Sequence, residues 1–147
     1  MKTIGMILLT IFLGKSCSNE SQNDIKNAVL QYSAHTRGFH LKIIVNNQTA
    51  TISKGRTPDS MTQTQMKISD SDWKDLIALF GKTNLEAFPD LKDPTQKRHY
   101  DGAAIADLKV RYQDKNYETV NFDHGFPPKE IEKLVNKIVA LAKEKEE

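Results

Sequence analysis

Cysteine is almost missing from this chain: Cys17 is the single one among 147 residues. No intramolecular disulfide can form, so the fold has to rest on packing. Long apolar runs are missing too. The best, residues 4–13, is half the ~20 residues that a membrane-spanning helix needs. The signatures of nucleophilic and phosphate chemistry are absent: no G-x-S-x-G elbow, no S-x-x-K set, no Walker loop, no G-x-G-x-x-G and no H-E-x-x-H. Aromatic residues make up only 7% and do not interleave with a basic face, which argues against nucleic acid as a partner.

What is present begins with the leader. Residues 1–16 carry a positive start, an apolar stretch and a short polar close, Gly14-Lys15-Ser16, which is the layout of a secretory signal. With Cys17 next, followed by the polar run 18–27, the front of the chain resembles a bacterial lipoprotein precursor. That resemblance implies acylation of Cys17 as the first mature residue, residues 17–27 as a lipidated, flexible tether, and residues 28–147 as one domain. Each buried methylene contributes about 0.8 kcal/mol, so several acyl chains would hold a small domain at a membrane. Gly14 and Ser16 also fit small-x-small cleavage, which would give plain secretion and leave Cys17 a free thiol; an uncleaved chain is the third reading.

Charge of one sign is lacking once the leader is set aside. Removing Lys2 and Lys15 from 21 basic residues leaves 19, against 19 acidic ones. A neutral balance gives no general pull toward nucleic acid or anionic lipid. About 130 mature residues suffice for one core and not for two.

Periodicity predicts the elements. Residues 28–32 open a possible strand. Residues 39–45 alternate, with Phe39, Leu41, Ile43 and Val45 on one face and His40 and Lys42 on the other. Residues 46–48 supply a turn, and 49–53 return as the hairpin partner. Residues 54–64 read as a mobile loop or ragged edge. Ser69 is a helix N-cap with Asp70 and Asp72 behind it, and Trp73, Leu76, Ile77 and Phe80 form a stripe ending at Gly81. Leu85, Phe88 and Leu91 are buried pegs. A second hairpin runs over 104–112 and 117–122 around Asp114-Lys115-Asn116. The last helix starts near Pro128, with Ile131, Leu134, Val135, Ile138 and Leu141 facing inward, and the charged run 143–147 closes the chain. The expected fold class is α+β: a four-stranded antiparallel sheet from two hairpins with two helices packed on one face (ββαββα), leaving Lys42, Lys109 and Arg111 in water.

Ile68-Ser69 to Trp73 at the helix start, Leu85 to Phe88, and Tyr100-Asp101-Gly102 before the second hairpin resemble small bacterial lipoproteins of unknown function, the domains grouped as DUF6438-like, and loosely the repeated half of beta-lactamase-inhibitor-like folds. The resemblance covers roughly residues 29–142. It implies the fold, and little about function.

Two polar clusters meet if the second hairpin forms: residues 97–102 and 121–125. They make Arg98, His99, Asp101, Asp123 and His124 the candidate binding residues at one end of the sheet. Two histidines and two carboxylates there (His99, Asp101, Asp123, His124) have the ligand types for zinc. The structural alternative has Asp101-Gly102 as a turn and Asp123 capping peptide N–H groups or pairing with Arg98; a further one has Arg98 and His99 meeting an anionic ligand. Around residues 35–38, Gly38 marks a turn or bulge and Arg37 reads as a solvated charge. Trp73, on an apolar helix stripe, reads as core rather than as a partner's anchor. No residue is assigned a catalytic role, and no cofactor is expected. The function expected is a membrane-anchored, non-catalytic envelope lipoprotein that binds a protein or ligand, for instance as an inhibitor of an envelope enzyme. The alternatives are a metal-dependent hydrolase using the His/Asp end of the sheet and a structural envelope component. The expected location is the bacterial cell envelope, lipid-anchored through Cys17, on the outer membrane if the bacterium has one.

Overall fold

The computed structural model describes residues 25–143. The leader, Cys17, most of the tether and residues 144–147 lie outside the described residues. The chain runs β1 (Val29–Thr36), β2 (Phe39–Asn46), β3 (Thr49–Gly55), β4 (Thr62–Lys67), α1 (Asp70–Gly81), β5 (Ile105–Tyr112), β6 (Lys115–Glu118), β7 (Phe122–Asp123) and α2 (Glu132–Lys143), with short 3-10 turns between. The sheet is antiparallel, in the order β4-β3-β2-β1-β5-β6, with β7 pairing the rest of β5.

The fold is α+β, but the sheet has seven strands where the sequence pattern predicted four. Three features account for the difference. The possible strand at 28–32 is a full eight-residue strand, β1, at the centre of the sheet; Ser33, Ala34, His35 and Thr36 carry little apolar signal, yet Ala34 lies over Leu41 and Ala106 in register. Residues 54–64 were expected to be a mobile loop or a ragged edge; their last three belong to an edge strand, β4 (Thr62–Lys67). Its Thr/Gln residues are exposed on both faces and only Met66 reaches the core in part, because β4 is an edge strand held by pairing to β3. The return strand of the second hairpin is split: Leu108 donates its N–H to Thr119 Oγ1 (3.0 Å) and accepts from Thr119 N–H (3.0 Å), and pairing resumes only at Phe122.

One face of the sheet is the core face. Leu30, Tyr32 and Ala34 of β1, Leu41, Ile43 and Val45 of β2, Ala50 and Ile52 of β3, and Ala106, Leu108 and Val110 of β5 are buried in matching register. Trp73, Leu76 and Phe80 of α1 and Leu134, Val135, Ile138 and Leu141 of α2 complete the same cluster, as do Phe88 and Leu91. Trp73 is therefore core. Ile25, in the stretch read as tether, is also buried, at 1% exposed. Ser69 caps α1 by accepting from Asp72 N–H. Lys137 of α2 reaches Asp72 at 2.5 Å and Asp75 at 3.3 Å, tying the two helices together.

The hairpin turns carry the geometry that strand twist demands. Asn47 and Gln48 (φ 46° and 61°) join β2 to β3, and Gln113 and Asp114 (φ 50° and 61°) join β5 to β6. Two consecutive left-handed residues make a two-residue turn of type I′. The second turn therefore falls one residue earlier than the sequence suggested. Arg37 and Gly38 (φ 80°) close β1 to β2.

Candidate functional site

Asp123 ends β7 and is 0% exposed. Its carboxylate is the hub of the loop that precedes β5. Oδ2 accepts from Thr95 Oγ1 (2.5 Å) and Lys97 N–H (2.6 Å), and Oδ1 accepts from Arg98 N–H (3.0 Å) and Arg98 Nη1 (3.1 Å). An ionised carboxylate has about four acceptor sites, so Asp123 has none left for a ligand or cation. Burial works to raise its pKa. The Thr95 hydroxyl, the Arg98 and Lys97 peptide N–H groups and the Arg98 guanidinium outweigh that and bring it to about 2.

Arg98 is equally committed. Beyond Asp123, its guanidinium bonds Asp93 Oδ2 (2.6 Å) and the Thr95 carbonyl (3.2 Å). The anion-binding reading of Arg98 thus meets a guanidinium already occupied by two carboxylates. Asp93 and Thr95 were not picked out from sequence; the only signal was their place beside Pro94 in a turn-rich stretch.

The other candidates disperse. Asp101 sits in the left-handed region (φ 58°) as the cap of the Lys97–Tyr100 turn, and it is exposed, as is His99. Gly102 donates to the Lys97 carbonyl at 2.8 Å. His124 faces the other way from Asp123: its Nδ1 is hydrogen-bonded to the core Tyr32 hydroxyl at 2.7 Å, and its ring stands 5.5 Å from that of Phe39. Burial, then the nearby charge of Lys143, holds the imidazole below its ordinary pKa of 6.5. The structure brings together Arg98 and Asp123 only. Among the described residues, no three of His, Cys, Asp and Glu converge on one point.

Two surfaces remain. Beside the Asp123 hub, the loop before β5 displays Tyr100, 71% exposed, and the turn after β7 displays Phe126, 40% exposed, with Lys97 Nζ 3.9 Å from the Phe126 ring centre. The second surface is the sheet face that the helices do not cover. It is built from Gln31, Ser33 and His35 of β1, His40, Lys42 and Ile44 of β2, Thr51 and Ser53 of β3, and Ile105, Asp107, Lys109 and Arg111 of β5, all partly or fully exposed. Asp107 is the strained member of this face. Its Oδ2 is buried without a hydrogen bond, 3.9 Å from Lys109 Nζ, and burial raises its pKa. Lys109 also faces Glu118 at 3.5 Å. Between β1, β5 and β6 this face holds a hollow of about 440 Å³, lined by Gln31, Lys109, Arg111, Tyr117 and Glu118 among others.

No protein-family model matches this chain, and neither does any curated protein or solved structure. The reading of function therefore stands on the geometry.

Proposed function

We propose that this protein is a non-catalytic binding module of the bacterial envelope, moored through Cys17, that meets its partner with the open sheet face. The observation that carries this reading is one-sided coverage. Both helices pack on the same side of the sheet, and the other side keeps a mixed polar face with the hollow between β1, β5 and β6. A broad, sign-mixed surface with Ile44 near its middle and Ile105 toward one end is suited to recognition by many modest contacts. The polar groups best placed for chemistry, Asp123 and Arg98, are spent on holding a loop.

Photo-crosslinking in intact cells tests it. A crosslinking residue replaces Thr51 on the open face or, in a second strain, Lys133 on the exposed side of α2. Discrete adducts from position 51 and none from position 133 are expected. Adducts from position 133 alone would overturn the proposal.

A further inference from the structure

We infer that His35 and His40 form a two-histidine chelate for a divalent transition-metal ion of the nickel–copper–zinc group. The two residues are register partners across β1 and β2, next to the two-residue turn at Arg37 and Gly38. Directly opposed residues in an antiparallel pair hold their Cβ atoms about 4.5–5.5 Å apart. Here the rings run almost parallel, 9° between planes, with centres 6.0 Å apart. The rings are stacked, so their in-plane lone pairs run side by side; turning both side chains about their torsions brings one nitrogen of each to a shared ion, each needing a metal distance of about 2.0–2.1 Å. Imidazole is a preferred donor for these ions and a poor one for calcium or magnesium. Both histidines lie on the uncovered face, so water can complete the coordination shell.

The surroundings support the pair. On the far side of His40, the register partner in β3 is Gly55. A Cβ there would stand 2.8 Å from the Met61 main chain, so backbone walls that side and keeps His40 toward His35. On the far side of His35 lies Ile105, an exposed apolar side chain, which bounds the site on that side. Asp107, one step along β5 on the same face, interacts electrostatically with His35, but its Oδ2 faces Lys109 Nζ at 3.9 Å, so it stands beside the site without being a ligand. None of these features belongs to the Asp123 hub, and the inference does not depend on the proposed binding function.

Isothermal titration of the mature chain with Zn²⁺, and separately with Ni²⁺, tests it. Every sample carries Cys17→Ser, which removes the one competing thiolate. One equivalent per chain is expected, with both histidine ring signals shifting in NMR. His35→Gln and His40→Gln should each weaken binding at least about tenfold, and the double variant little further. His99→Gln and His124→Gln should leave the affinity unchanged. Metal binding insensitive to both His35→Gln and His40→Gln, no binding at all, or equal loss in His99→Gln would overturn the inference. Melting curves without metal confirm that each variant is folded.

Discussion

Asp123 is the residue on which the loop before β5 depends. Four donors converge on a carboxylate with no exposed surface. Removing it strands the Lys97 and Arg98 peptide N–H groups and leaves the Arg98 guanidinium with Asp93 as its one carboxylate partner, in a mostly buried place. Breaking a buried charge pair from one side costs about 3–5 kcal/mol, and Asp123→Ala should fall in that range by urea denaturation at neutral pH; a loss under about 1 kcal/mol would refute the hub. The pH dependence has a definite sign. A carboxyl whose pKa drops from 3.8 to about 2 on folding stabilises the native state fully above its ordinary value and loses that contribution as pH falls through about 2. The gap between wild type and Asp123→Ala should therefore narrow as pH falls from about 4 to about 2. The sequence exposed part of this. Arg98 and Asp123 are opposite charges at neighbouring ends of a predicted hairpin, and their pairing was among the readings it allowed. Asp93 and Thr95 were hidden because their contacts depend on the path of a loop, which no periodicity encodes. His35 and His40 were hidden as a pair for a related reason: β1 beyond Tyr32 did not read as a strand, so nothing placed His35 opposite His40.

Helices were the elements most legible in the sequence. Ser69 with its acids, and the stripes of α1 and α2, carry a burial pattern of period 3.6, and each stripe is core. Strands were legible only where burial alternates. β2 and β5 show it plainly, whereas β4 has only Met66 partly buried and so no alternating apolar trace. The turns show a different lesson. Gln113 and Asp114 both occupy the left-handed region without a glycine, a conformation that costs an ordinary residue about 1–2 kcal/mol. Glycine takes it without that cost. Gln113→Gly should therefore raise stability by about 0.5–1 kcal/mol, against the usual direction of glycine substitutions. The side-chain contact given up is an exposed one to the Tyr112 hydroxyl at 3.3 Å. Chemical denaturation checks it, and a loss of stability would show that the turn relaxes in solution to another type.

At the scale of the whole molecule, β1 divides the sheet. On one side, β2, β3 and β4 follow as a meander of short turns; on the other, β5 arrives only after α1 and some seventy residues of chain. The proposal of a lipid anchor belongs to this scale, because it concerns where the whole domain sits. Cys17→Ala should move the protein from the membrane fraction to the soluble fraction of the envelope, and mass spectrometry of the wild-type mature N-terminus should find acyl chains on Cys17. A wild-type protein retaining Met1 and carrying no fatty acid would remove the anchor from the account.

The placing of β1 has a mechanical consequence. It is the first strand among the described residues, and it is hydrogen-bonded along its length to β2 through eight register pairs and to β5 through seven. Bonds in an antiparallel ladder lie across the strand direction. Tension arriving from the front of the chain and resisted across the sheet therefore loads both ladders at once in shear, instead of opening them one rung at a time as it would at an edge strand. Force applied at the N-terminal end of β1 thus meets more resistance than the same force on an edge strand such as β4.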